Sequence, residues 1–288
     1  LARPRDALLM LAGFLIAGST LVLLLSIPAG IDRIAASSGD ARIALVLSSQ
    51  ARTEIESVLP VDAAGIISAL PQVARHPDGR AMVAPQFIAN TKLTRGDGVR
   101  STVQVRGVDA STWALLEAFG DLVDAPGQGG ERDLLVGKMA AGAYRELQGA
   151  ESLRLRGTAL AIRHGLAANG GFWESELWTA LATLQAAYNA PGQVSVLWVA
   201  LVDEAAFDAF AAGVRSDPRL SGVRVVAQDS YYGEQVAFVS QLVRLAALGV
   251  SLLLAAGAIL VIMNALDTAL QKRRPRKRLR RKQRPRER

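Results

Sequence analysis

Few residues of this chain have the type and spacing that chemistry demands. His76 and His164 are its two histidines, and neither sits in a pattern of neighbouring ligands or carboxylates. A two-histidine metal site or a Ser-His-Asp relay is therefore not expected. Cysteine is absent, which removes disulfides, thiolate metal sites, a lipid-bearing cysteine and a thiol nucleophile. Val136-Gly137-Lys138-Met139 ends like a phosphate-binding loop. Arg132, however, stands where the earlier glycine belongs, and Met139 where a hydroxyl would meet magnesium. Gly127-Gln128-Gly129-Gly130 lacks the third glycine of a dinucleotide loop and reads as a linker. No G-x-S-x-G run occurs. The expectation is a chain that is not an enzyme and holds no nucleotide, cofactor or metal.

The densest cluster of polar and aromatic chemistry is Phe172-Trp173-Glu174-Ser175-Glu176-Leu177-Trp178, after the Gly-rich Asn169-Gly170-Gly171. Aromatic residues serve more often as core than as ligand contacts, so this stretch is read as a loop pinned to a following helix that ends at Tyr188. Tyr231 and Tyr232 read as rim residues near a membrane interface.

The elements that must position these residues are set by two uncharged apolar runs, Ala7–Ile27 and Leu245–Leu266. Each is about 21 residues long, which at ~1.5 Å per residue crosses a hydrocarbon core of ~30 Å. A helix satisfies its own backbone groups in lipid, so both are expected to span. The first exceeds the ~7–15 apolar residues of a signal peptide, and Ser26-Ile27-Pro28-Ala29 is a poor cleavage site. The second carries no polar face apart from Asn264, unlike a buried core helix. Gly13/Ala17 and Ser251/Ala255 place small residues four apart, a spacing that lets helices approach closely.

Charge sets the expected orientation. Arg3 and Arg5 precede the first run, and the segment from Lys272 to Arg288 carries 12 basic residues against Glu287 alone. Positive flanks stay inside, so both termini are expected in the cytoplasm and the intervening domain outside. The formal net charge of +7 thus reports a tail, and the rest of the chain is net acidic. The tail has no interleaved aromatic residues, so nucleic acid is not an expected partner; anionic lipid is.

The exterior domain alternates strand and helix patterns with hairpins, an α+β class. Strands are expected over 42–48, 81–94, 101–107, 133–136, 152–156, 158–166, 193–201 and 223–226. Helices are expected over 52–59, 63–70, 111–119 (capped by Asp109), 138–147 and 204–215. Arg95-Gly96-Asp97-Gly98 and Gly157 mark hairpin turns. Along 101–107, Thr102, Gln104 and Arg106 alternate with Val103 and Val105, the mark of a strand wet on one face. Breaks at Ala125–Glu131 and Pro191-Gly192 suggest that 125–190 is inserted between 29–124 and 191–234. From Tyr231 onward only Gly233 interrupts the helical pattern before Pro275, so one helix over 235–270 is expected to leave the domain and cross the membrane without a joint.

In this order, these residues resemble the periplasmic core domain of the MacB/FtsX-type ABC transporter permeases. The resemblance runs from the first span to about Arg274. It rests on Leu134-Leu135-Val136-Gly137-Lys138 and its alanine-rich sequel, on Ser152-Leu153-Arg154-Leu155-Arg156-Gly157, and on Phe172–Trp178 leading to Leu184-Gln185-Ala186-Ala187-Tyr188. Asp217-Pro218-Arg219-Leu220, Tyr231-Tyr232 and Asn264 complete it. The resemblance implies a porter-like subdomain with a distal, sabre-like insert between two transmembrane helices (7–28 and 245–266). It singles out Phe172, Glu174, Ser175, Glu176, Trp178 and Asn264 as motif residues of structural role. It also implies a bacterial inner-membrane location, a cytoplasmic ABC ATPase as partner, a homo- or heterodimer of permease subunits, and a periplasmic partner or substrate.

Permeases of this family continue past the second span into further spans, whereas here Gln271-Lys272-Arg273-Arg274 passes into the basic tail 275–288. A truncated or frame-shifted permease is one reading, and a two-span subunit whose tail lies on anionic lipid is the other. Outside the family, a two-span receptor with an exterior sensing domain is the alternative function.

Overall fold

The computed structural model describes residues 39–60, 62–119, 129–167 and 171–273, together with Gly13, Leu15, 18–23, 26–27 and Gly30 of the first apolar run. Linker residues 125–128, Asn169-Gly170 and the tail beyond Arg273 lie outside the described residues, as does the rest of the first run. The described part of that run is helical. The chain separates into two units, 31–237 and a second made of 1–30 with 238–288.

In the first unit the aliphatic run Ile43–Ser48 (β1) pairs on both edges, antiparallel to Val196–Ala200 (β8) and Val223–Ala227 (β9). The long strand Val83–Thr94 (β2) and Arg100–Val108 (β3) form a hairpin, closed where the Arg95 N–H donates to the Val99 carbonyl and Gly98 takes φ +87. Asp133–Gly137 (β4), Ser152–Leu155 (β5), Thr158–Leu166 (β6) and Leu177–Ala180 (β7) complete one nine-stranded sheet, ordered β5-β6-β4-β7-β3-β2-β8-β1-β9. The β3/β7 and β4/β6 pairs are parallel and the remainder antiparallel, so the α+β expectation holds. The β5–β6 turn uses two left-handed residues, Arg156 (φ 48) and Gly157 (φ 92), the primed geometry that suits a two-residue hairpin.

Strand alternation divides the core. Ala44 and Val46 of β1 pack with Leu197 and Val199 of β8 on the face shared with helices Ala63–Ser68 (α1) and Phe207–Ser216 (α5). Ile43, Leu45 and Leu47 turn the other way, toward Trp173, Trp178 and Trp198. Val103, Val105, Leu134, Val136 and Leu177 form a third cluster with Leu184 of helix Leu181–Ala187 (α4). Ala110–Phe119 (α2) starts where the Asp109 carboxylate accepts from the Ser111 and Thr112 amides at 3.0 and 3.3 Å, the cap expected of it.

Three elements differ from the sequence reading. Residues 52–59 make only a 3-10 turn, Glu54–Glu56, because distant partners take the backbone groups a helix would use. The Glu54 amide donates to Tyr231 Oη, and the Leu59 amide to the Val194 carbonyl. The helix expected over 138–147 stops as Lys138–Ala143 (α3), since extended Tyr144 bridges Arg95 and only a 3-10 turn, Arg145–Leu147, follows. Leu177–Ala180 is a strand in mid-sheet, between β3 and β4, and the helix begins only at Leu181.

The last helix, Gln228–Arg273 (α6), runs 46 residues without interruption and begins before the expected residue 235. Its stretch to Asn264 is long and apolar enough to cross a membrane, and Leu252 and Leu253 are 72% and 76% exposed.

Gly137 marks the tightest approach between elements near the aromatic cluster. A Cβ there would lie 2.2 Å from the Glu174 carbonyl oxygen, backbone that cannot step aside. Gly137→Ala is expected to lower stability by about 1–3 kcal/mol through overpacking, read as a fall in melting temperature. Gly142→Ala, in α3 with open space around it, should leave the melting temperature unchanged or raise it.

Candidate functional site

Four neighbouring strands deliver side chains to one face of the sheet. Arg106 of β3 lies directly opposite Trp178 of β7 in register, Gln86 comes from β2 and Trp198 from β8. The alternation along β3 correctly separates two faces, but the face expected to be wet is dry at Arg106, which is 0% exposed. The 3-10 turn at Glu54 and the first turns of α6 bring Glu54, Tyr231 and Tyr232 to the same cluster.

Arg106 is the centre of this arrangement. Its Nε donates to Glu176 Oε2 at 2.8 Å and its Nη2 to Glu176 Oε1 at 2.9 Å, a bidentate fork. Nη2 also donates to Glu54 Oε2 at 2.8 Å, while Nη1 reaches Glu54 Oε1 at 3.3 Å and Gln86 Oε1 at 2.6 Å. The indole N–H of Trp178 donates to Glu176 Oε2 at 2.9 Å, and that of Trp198 approaches Glu54 Oε1 at 3.4 Å. The guanidinium carbon lies 5.3 Å from the Trp198 ring centroid and 5.9 Å from that of Trp178. Trp173 packs against both indoles, with centroids 5.3 and 6.2 Å away.

Burial of a guanidinium would lower its pKa, but the charges of Glu176 and Glu54 more than offset this and hold Arg106 well above its ordinary range. Arg106 is thus charged at every accessible pH. Burial first, and then the Glu54 carboxylate, push the phenols of Tyr231 and Tyr232 well above the usual tyrosine range, against the opposing charge of Arg106. Both hydroxyls stay protonated. Tyr231 accepts the Glu54 amide at 2.9 Å, and Tyr232 stacks on Phe172 with centroids 5.6 Å apart.

Beside the ion cluster opens a cleft of about 370 Å³. Its lining includes Tyr144, Phe172, Tyr231 and Tyr232 together with Glu54 and Glu176. Among the described residues no group of carboxylates and histidines is arranged to hold a metal.

The sequence motif therefore divides. Glu176 and Trp178 are buried members of the ion cluster, and Phe172 and Ser175 line the cleft. Glu174 is 7% exposed and its carbonyl abuts Gly137. Asn264 stands on the exposed surface of α6 in the other unit. Sequence reasoning missed Arg106, Glu54 and Gln86. A usable signal existed in Gln86, a long polar side chain set between Pro85 and Phe87 within a strand.

No family model and no curated relative matches the chain. The chain is similar to solved structures that include a periplasmic region and an extracellular domain. One is the periplasmic region of MacB from Actinobacillus actinomycetemcomitans, with 11% identity and a TM-score of 0.47 over 67% of this chain and 92% of that one. The other is the extracellular domain of the ABC-type transporter YknZ from Gram-positive bacteria, with 9% identity and a TM-score of 0.43 over 64% of this chain and 99% of that one.

Removing Arg106 would leave two carboxylates in an apolar shell. Arg106→Met is expected to destabilise the domain by about 3–5 kcal/mol, whereas the triple change Arg106→Met, Glu54→Leu, Glu176→Leu should recover most of that loss. Chemical denaturation of the three proteins checks both values.

Proposed function

We propose that this chain is a membrane (permease-type) subunit of an ABC-type export or mechanotransmission complex. In this reading a separate cytoplasmic ATPase hydrolyses ATP, and the chain couples that work to its exterior domain, in which residues 125–190 form a distal insert. The observation that carries the proposal is α6. One uninterrupted helix begins among the residues of the buried ion cluster, where Tyr231 accepts the Glu54 amide, and runs through to an apolar stretch with exposed leucines. A helix without a break transmits a displacement along its length, whereas a jointed one absorbs it.

The order of the motifs from Leu134 to Asn264 supports the same reading, and the apolar, exposed surface of α6 suits a lipid environment. The chain's own contribution is mechanical and assigns no catalytic residue. Its partners are the ATPase, a second permease subunit, membrane lipid, and a substrate or partner engaged by the exterior domain. Both termini face the cytoplasm in this arrangement.

Affinity purification of the full chain from solubilised membranes, in a strain expressing the flanking genes, is expected to recover an ATP-hydrolysing subunit in stoichiometric amount. Recovery of the intact chain without any ATPase would contradict the proposal.

A further inference from the structure

The cleft beside the ion cluster has a charge balance that its walls do not complete. Glu54 and Glu176 both line it, while Arg106, behind them, neutralises one carboxylate and leaves one negative charge. Among the described residues lining the cleft there is no lysine, arginine or histidine. Leaving a net charge at the edge of an apolar core is costly unless a counter-charge arrives. Aromatic rings line the same cleft: Tyr231 and Tyr232 lie 5.2 Å apart between centroids, and Tyr232 and Phe172 5.6 Å apart. Ring faces and carboxylates together attract organic cations. Tyr232, which is 4% exposed, lines the same cleft, and its buried hydroxyl makes no hydrogen bond of ordinary geometry, the Trp173 indole N–H only leaning toward it.

We propose that this cleft binds an alkylammonium group, whose charge is met by Glu54 and Glu176 and whose carbon chain is held by Phe172, Tyr144 and the two tyrosines of α6. The volume of about 370 Å³ admits a single such chain with room for water. The ammonium belongs either to a free organic amine or to a lysine side chain of a polypeptide, and the two sources present the same chemistry to the cleft. The proposal does not rest on the ATPase reading. A chain that recovers an ATPase and binds no ammonium fails here alone, and the converse result spares this site.

The full chain in detergent micelles is titrated calorimetrically with two cations, phenethylammonium and Nα-acetyl-lysine amide. Each is compared with its neutral counterpart, phenethyl alcohol and the Nε-acetylated amide. At least one cation is expected to bind saturably and at least tenfold more tightly than its counterpart. Phenethylammonium alone would point to free amines, and the lysine amide alone to a polypeptide. Glu54 and Glu176 are unsuitable for substitution because Arg106 depends on them. Gln235, exposed at the edge of the cleft, is not bound by that constraint. Gln235→Lys places a competing cation there and should weaken binding at least fivefold while melting temperature stays unchanged. The proposal is overturned if neither cation binds, if the neutral compounds bind equally well, or if Gln235→Lys, correctly folded, leaves the affinity as it was.

Discussion

A guanidinium with no access to water dictates how the exterior domain is put together. Arg106 cannot shed its charge, so every N–H it points into the interior needs an acceptor, and the sheet supplies too few. Glu176 comes from the end of the 172–175 turn, Glu54 from a turn 52 residues earlier than Arg106 in the chain, and Gln86 from the neighbouring strand. The geometry closes only when these elements are all in place. Ion pairs of this kind add little net stability against an apolar substitute, because desolvation offsets their attraction. Here their effect is on register and position: they fix which residues of β2, β3 and β7 face one another, and they draw the Glu54 turn against the start of α6.

The aromatic shell makes the cluster tight. Trp173, Trp178 and Trp198 exclude water from the salt bridges, and the indole N–H groups of Trp178 and Trp198 also donate or lean toward the carboxylates, so those two indoles are both filler and ligand. Gly137 permits this packing, since only hydrogen fits where β4 meets the Glu174 carbonyl. Glu54 and Glu176 of the cluster also line the cleft. The first turns of α6 and the lining of the cleft thus share the same few contacts, through Tyr231 and Tyr232.

Local chemistry made much of the fold legible. The aliphatic run of β1, the glycines of the two hairpins, the Asp109 cap and the unbroken pattern of α6 each carry their own instruction within a few residues. What escaped was set by long-range partners. The Phe172–Trp178 stretch reads as a loop because its glycine-rich approach and mixed polarity hide a four-residue strand that exists only by pairing with β3 and β4. Residues 52–59 read as a helix because nothing local reveals that their amides go to Tyr231 and Val194. The alternation around Arg106 was sound in separating two faces. A charged side chain is ordinarily assigned to water, however, and its two carboxylates lie 52 and 70 residues away.

The central claim is that one buried charge network holds the Glu54 turn, β7 and the first turns of α6 as a single unit. Hydrogen–deuterium exchange on the full chain carrying Arg106→Lys tests it most directly, since lysine keeps the charge but cannot fork to both carboxylates. The expected result is faster exchange in residues 52–58, 172–180 and 228–235 together, with residues 207–216 of α5 unchanged. Loss of protection confined to one of those three segments, with the other two as slow as in the unsubstituted chain, would contradict the account.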